Sequence, residues 1–380
     1  MKKLFAIFFI CLIIIPLHAQ STEFDSTVIS GIKQIYNIKF DQAERTFKGL
    51  IADYPNRPEG RFFLAMIDWW KILLNPDNVS NDDIFYQKLE DVIYQCDQIL
   101  KKNPDNEEAL FFKGGSIGFR GRLRALRESW LKAANDGRLA LPIVEKAAKL
   151  NPNNVDVQLG FGIYDYYAAV IPDEFPLIKP LMIFFPPGNK KKGLDELTNV
   201  ALHGRFAKYE ARYFLTTLYF SYENDPYKAD EWCKKLTTEF PDNPVFERWR
   251  GRIAAKMGDY YTANLIFRNI LQKAEKNYRG YNNSNVKREA SYYIGYQYRI
   301  LDKLDSAKIY FDMCANLSKQ IDKKETSGFL INSYLYLGMI DDVQGDRNGA
   351  VNYYKKLLDL KEFDNSHVLA EKYLKAPYKR

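Results

Sequence analysis

The chain is expected to fold as an all-α solenoid of antiparallel helix pairs. Three observations predict it. The first is an internal repeat: a glycine, an alanine twelve residues later and an aromatic four after that, at Gly31/Ala43/Phe47, Gly251/Ala263/Phe267, Gly295/Ala307/Phe311 and Gly338/Ala350/Tyr354. Self-similarity at fixed spacing marks stacked repeats. The second is a recurring stop: Tyr54-Pro55, then Asn103-Pro104-Asp105-Asn106, Asn151-Pro152-Asn153-Asn154 and Phe240-Pro241-Asp242-Asn243. Proline closes one helix and Asn or Asp caps the next. The third is helix-period apolar patterning with no convincing strand and no interdomain linker. Apolar residues make up 46% of the chain and aromatics 15%, enough for a large core with aromatic wedges between repeats.

Residues 1–19 have the form of a secretory signal peptide. Lys2 and Lys3 precede an unbroken apolar stretch from Leu4 to Ile15, and Pro16 breaks it before Leu17-His18-Ala19. A run of about twelve apolar residues is short of the roughly twenty that span a bilayer. Cleavage is expected after Ala19. Cys11 follows Ile10 rather than a small residue, which argues against lipid attachment there. The chain is therefore expected to be exported, periplasmic or envelope-associated. Its net charge is +7, and loss of Lys2 and Lys3 leaves +5. That balance and the export signal both argue against a nucleic-acid partner.

The repeat domain is expected over 20–365. Its first pair spans 24–56, with an amphipathic second helix at 41–53. The next pairs are longer and irregular, from 58 to 203. Helices are expected near 58–74 and 82–102, then a long helix near 107–134, a turn at Asn135-Asp136-Gly137 and a helix to Leu150. A pair starting near Val155 is interrupted after Val170. Five prolines within 171–188 should forbid a regular helix there. A helix resumes over about 191–203. Regular pairs follow at 208–240, 244–275, 286–320 and 328–360, with a Gly/Asn/Ser loop at 278–285. Residues 366–380 carry a Lys-rich amphipathic helix expected to cap the open end of the stack.

These residues resemble tetratricopeptide repeats, through the Gly/Ala/aromatic triplets, the closing Pro55 and Pro241, and Tyr334 and Leu337 ahead of Gly338. The likeness is good in the final three pairs and poor between 58 and 203. A weaker likeness is to the tetratricopeptide family that includes inclusion-body-clearance proteins, on Gly160-Phe161-Gly162, Ile171-Pro172 and the Gly188–Leu197 stretch with Gly193-Leu194. The resemblance implies a superhelical solenoid that binds a protein or peptide in a concave groove lined by first helices, without catalysis. In that register the groove positions are Arg248, Arg252, Tyr292, Tyr296 and Arg299. Tyr and Arg are enriched at binding hot spots. The asparagines of a carboxylate clamp are absent, so recognition of a free C-terminus is not expected.

Other candidate chemistry is sparse. Gly114-Gly115-Ser116-Ile117-Gly118 matches the G-x-S-x-G string, but that motif needs a strand-to-helix elbow. Here it lies within an expected helix, where Gly114, Gly118 and Gly121 would let a second helix approach closely. No H-E-x-x-H, C-x-x-C or phosphate-cradling loop occurs, and only His203 and His367 follow residue 19, so no metal and no cofactor is expected. Cys96, Cys233 and Cys314 fall on wedge or core positions and are expected to be buried thiols.

Two features of the irregular region carry functional alternatives. Between Lys113 and Lys149 there are nine Lys/Arg and three Asp/Glu, and Arg120, Arg124 and Arg127 form a helical stripe. The stripe is either the solvated flank of a packed helix or, extended by Lys190, Lys191 and Lys192, a surface for an acidic protein, polysaccharide or lipid headgroup. The insert at 171–188, with Phe175, Leu181, Phe184 and Phe185, is too apolar to expose freely. It is a plug in the groove, a partner-docking loop or a peripheral membrane contact. The leading function is an exported scaffold binding a protein or peptide. Its alternatives are an envelope-biogenesis factor that touches membrane or an acidic polymer, and a helical-repeat enzyme.

Overall fold

A computed structural model describes residues 17–174, 186–323 and 325–380. The expectations for residues 1–16, and for Phe175, Leu181, Phe184 and Phe185 of the insert, concern residues outside those described. Among those described, seventeen α-helices follow one another with no strand. They are α1 (Leu17–Tyr36), α2 (Phe40–Asp53), α3 (Glu59–Leu74), α4 (Asp82–Lys102), α5 (Glu107–Leu126) and α6 (Trp130–Leu150). Then come α7 (Gln158–Glu174), α8 (Lys190–His203), α9 (Lys208–Ser221), α10 (Pro226–Glu239), α11 (Pro244–Lys256) and α12 (Tyr260–Glu275). The last are α13 (Ser284–Ile300), α14 (Leu304–Ile321), α15 (Gly328–Gln344), α16 (Arg347–Leu358) and α17 (Ser366–Lys375). Successive helices pack as antiparallel pairs, giving a tetratricopeptide-like solenoid whose final helix lies against α15 and α16.

The triplet works through direct contact. The aromatic of each second helix sits on the glycine of its own first helix. A Cβ at Gly251 would fall 2.6 Å from Phe267, at Gly295 3.2 Å from Phe311 and at Gly338 2.5 Å from Tyr354; at Gly31 it would collide with the Phe47 ring. The opposite side of each ring meets an aromatic of the next first helix. Phe47 stacks on Phe63 at 5.5 Å, Phe267 on Tyr293 at 4.5 Å, and Phe311 packs 5.1 Å from Tyr336. Tyr354 meets Tyr373 of α17 at 5.8 Å, so the terminal helix takes the place of a further pair.

Seven residues after each small residue the chain turns through a left-handed residue. These are Ile38, Gly258, Asp302 and Gly345, with φ of 60°, 81°, 60° and 86°. Glu128 (φ 58°) and Asn224 (φ 51°) occupy the same place after Gly121 and Thr217. At Gly258 and Gly345 the missing Cβ removes the steric penalty of that conformation. Gly121 thus opens a degenerate triplet, Gly121/Ala133/Gly137, and Thr217/Ala229/Cys233 is another.

Two sequence expectations fail in the middle of the chain. Asn135-Asp136-Gly137 is not a turn; it lies inside α6, and the turn falls at Arg127–Ser129. The Asp136 carboxylate is fully buried and is held by Arg120 and Arg124 from α5, so a tertiary ion pair overrides the local turn preference. The expected end of the helix at Val170 also fails. Helix α7 continues through Pro172 to Glu174. Its crossing with α8 is set by glycine, since a Cβ at Gly193 would lie 2.6 Å from the Tyr166 amide nitrogen.

The superhelix also closes on itself. The Tyr36 ring at the end of α1 lies 4.7 Å from Trp70, 5.1 Å from Tyr209 and 5.3 Å from Phe240. Its hydroxyl donates to Glu210 at 3.0 Å, and Asn243 donates to its carbonyl at 2.8 Å. Burial, with the Glu210 carboxylate beside it, raises the Tyr36 phenol well above its ordinary pKa. Asn285 reaches back to Asp77 at 2.6 Å and Arg279 to Asp41 at 3.2 Å. One apolar core therefore runs from Phe24 to Phe246, and α3 is buried on nearly every side.

Because the Phe267 ring already fills the space above Gly251, Gly251→Ala is expected to destabilise the chain by about 1–3 kcal/mol through overpacking. Gly49, an exposed position of α2 with nothing near its missing Cβ, should behave oppositely, Gly49→Ala stabilising by about 0.5–1 kcal/mol. Urea midpoints of the two variants against the parent chain check both signs.

Candidate partner-binding surface

The expected groove residues divide into two sets. Arg248 and Arg252 project from consecutive turns of α11 onto Glu289 of α13. Arg248 Nε lies 2.6 Å from one carboxylate oxygen, and Arg252 contacts both oxygens, the second at 3.0 Å. Glu289 is 1% exposed. Burial by itself would raise its carboxyl, but the two guanidinium groups overcome that and hold it at about 2. Arg252 also lies over the Trp249 ring at 4.9 Å. This pair of arginines is a strut between two repeats, and its charge is matched inside the fold.

Tyr292, Tyr296 and Arg299 form the second set. They lie on α13 and are half-buried. The Tyr296 ring is 4.8 Å from Tyr260 and 5.6 Å from Tyr336, and Tyr292 is 5.2 Å from Phe329. The Arg299 guanidinium lies over both Tyr296 (5.3 Å) and Tyr336 (4.6 Å). Its Nε has no hydrogen-bond partner among the described residues. Burial pushes the Tyr260 hydroxyl up to about 12, and its neighbour Tyr296 adds to the shift. The result is a half-buried cluster of aromatic rings with one guanidinium over two of them.

Sequence reasoning missed Tyr260, Phe329 and Tyr336. A signal for Tyr336 was present: Trp249, Tyr293 and Tyr336 each stand two residues before a triplet glycine. Tyr293 and Tyr336 of this set cover the wedge of the preceding pair.

The arginine stripe is corrected by its partners. Arg120 binds Asp136 at 2.7 Å and Glu90 at 2.5 Å. Arg124 binds Asp136 at 2.6 Å. Arg127 grips Asp82 through two nitrogens at 2.6 and 2.9 Å and donates to the Pro76 carbonyl at 2.6 Å. None of the three side chains is more than 25% exposed. They tie α5 to α4 and α6, so they do not form an anion-facing surface. Lys190 pairs with Glu223 at 2.9 Å and Lys192 with Asp165 at 2.6 Å, while Lys191 is exposed.

The remaining candidates have structural placements. Ser116 of the G-x-S-x-G string is fully buried and donates to the Phe112 carbonyl at 2.7 Å. Gly114 and Gly121 pack on α6, but Gly118 has nothing within 4 Å, so the expected close face is only two glycines long. Cys96, Cys233 and Cys314 are free and buried, and burial pushes their thiols up to about 12, 12 and 11. No cluster of metal-ligating side chains occurs among the described residues. An open depression of about 400 Å3 is lined by Asp242, Glu247, Arg250 and Lys273, and a shallower one of about 720 Å3 by Arg212, Glu231 and Lys234.

No family model and no curated protein matches the chain. Solved structures do. PilF of Pseudomonas aeruginosa is 14% identical over 68% of this chain and 96% of its own, with a TM-score of 0.44. PilW, described as a type IV pilus biogenesis factor, is 13% identical over 67% of this chain and 96% of its own, at 0.42. The Cut9–Hcn1 hetero-tetramer of the APC/C is 14% identical over 96% of this chain and 65% of its own, at 0.48.

The Glu289 strut makes stability depend on acid. Its folded pKa lies below the unfolded value, so its contribution is complete above about pH 5 and is lost as pH falls toward 2. Glu289→Gln is expected to cost about 3–5 kcal/mol at pH 7, by leaving two half-buried cations unmatched. It should also flatten the stability profile between about pH 5 and 2. Urea titrations at stepped pH check both effects.

Proposed function

We propose that the chain is an exported, non-catalytic scaffold that binds a protein or peptide partner on the half-buried Tyr/Arg face of α13 and α15. One observation carries the reading: the Arg299 guanidinium lies over the Tyr296 and Tyr336 rings, 5.3 and 4.6 Å from their centroids, and pairs with no carboxylate among the described residues. Elsewhere the guanidinium groups expected to bind ligands already hold carboxylates. Around Tyr36 the first three pairs and the fifth and sixth share one core filled by the chain's own aromatics. The Tyr/Arg face is what remains for an outside segment. Stacked aromatics and Arg carry much of the energy at protein interfaces, typically about 2 kcal/mol or more for each central residue. Export rests on the leader at 1–19, with its two lysines and its apolar run.

Tyr296→Ala combined with Arg299→Ala should weaken partner capture from an envelope extract by about 30-fold or more. Tyr227→Ala, at a site 71% exposed on α10, should leave capture intact. An unchanged set of partners in the double variant would remove the assignment. For export, the expected result is an envelope-fraction protein whose first residue is Gln20; intact residues 1–19 on a cytoplasmic protein would contradict it.

A further inference from the structure

The groove face ends against the chain's own last residues. Helix α17 stops at Lys375, and residues 376–380 continue without helix. Ala376 is extended (φ −142°, ψ 130°), as a residue before proline should be. From there the segment crosses the C-terminal ends of α15 and α13. The Tyr378 amide donates to Asp342 of α15 at 2.8 Å, and the Tyr378 ring meets Tyr373 at 5.2 Å. The Arg380 guanidinium donates to the carbonyls of Arg299 and Ile300, at 3.3 and 3.4 Å, and forms an ion pair with Asp302. The last carbonyls of a helix are the negative end of its dipole, so a cation is the natural group to place there.

The contacts are of a kind that can be exchanged. Arg380 and Asp302 are 45% and 65% exposed, and such pairs are strongly screened by solvent and salt. Ala376, Pro377 and Lys379 are exposed and Tyr378 is only half-buried. The anchoring groups lie on α15, at the carbonyl end of α13 and, for Asp302, in the turn that follows it. Asp342 is held by Arg347 at 2.8 Å and by the Tyr354 hydroxyl at 2.9 Å. Arg347 in turn caps α17 through the carbonyls of Tyr373 and Leu374, at 2.9 and 2.8 Å.

We infer that Asp342, Asp302 and the carbonyl end of α13 form an acceptor site for an extended peptide bearing an aromatic residue and, two positions on, an arginine or lysine. Residues 376–380 occupy it in cis. A partner of that chemistry must displace them to extend its contacts from the site onto Arg299 and Tyr296. This rests on the groove reading for its partner and adds to it the partner's class and a brake on its binding. A tethered segment acts at an effective concentration in the millimolar range. Weak contacts of this kind can therefore mask the site until a better-matched segment arrives.

The test is a fluorescence-polarisation titration with a labelled peptide of the sequence of residues 373–380. The chains compared are the intact protein, Arg380→Ala, and Tyr378→Ala combined with Arg380→Ala. The doubly substituted chain should bind the peptide about tenfold more tightly than the intact chain, with the single variant between them. Adding Asp302→Lys to the double variant should remove most of the gain, and so should raised salt. Arg380 is exposed, so the single variant keeps its fold and its affinity remains interpretable even if the double variant is destabilised. Equal affinity for intact and substituted chains, or no binding to any of them, overturns the inference. If that happens while Tyr296/Arg299 substitution still strips partners from the chain, the groove reading survives alone. If the peptide binds as expected while that substitution leaves partners unchanged, the acceptor site stands and the groove reading falls.

Discussion

The repeat depends on an aromatic ring seated where a glycine has no side chain. That contact brings the two helices of a pair close, and it presents the opposite side of the ring to the next pair. Phe267 shows both halves, with Gly251 below and Tyr293 stacked above at 4.5 Å. Each such ring buries fully, and an aromatic pair adds roughly 0.5–1.5 kcal/mol beyond the area it removes from water. Crossing angle, pair-to-pair spacing and the left-handed turn seven residues on are locked together by this seat. The turn residue need not be glycine, since Ile38 and Asp302 accept positive φ when packing demands it.

Where the ring is missing, charge takes over the work of positioning. In α5 and α6 the wedge position is Gly137, and the helices are drawn together by Arg120 and Arg124 on a buried Asp136. Charge also acts where the ring is present: between the sixth and seventh pairs, beside Phe267, Arg248 and Arg252 hold Glu289. Each is a buried carboxylate shared by two guanidinium groups. Breaking such a group is costly, although its net contribution over an apolar equivalent is small. The arrangement accounts for a basic sequence with little free basic surface in the stripe.

Closure around Tyr36 joins distant repeats in one core. An extended solenoid would present its whole concave side. Here the first three pairs fold against the fifth and sixth, and Trp70, Tyr209, Phe240 and Phe246 fill the space between them. The accessible aromatic face is displaced toward α13 and α15, where the tail at 376–380 borders it. The surface proposed for a partner therefore lies at the regular end of the chain rather than in its irregular middle.

Much of this was legible in the residues. Fold class followed from the Gly/Ala/aromatic spacing, because a small residue and a ring at that separation meet only in a helix hairpin. Burial of Cys96, Cys233 and Cys314 followed from the same register, and so did the placement of Tyr292, Tyr296 and Arg299 on one helix. What the residues alone could not reveal was pairing at long range. Nothing local distinguishes an arginine that faces solvent from one that finds Asp82 forty-five positions away. Nor does any local pattern tie Asn243 to Tyr36, or Arg380 to the end of α13. The repeat is a short-range property and can be read from spacing. Which charges are matched depends on how the superhelix curls, a long-range property that emerges only on folding.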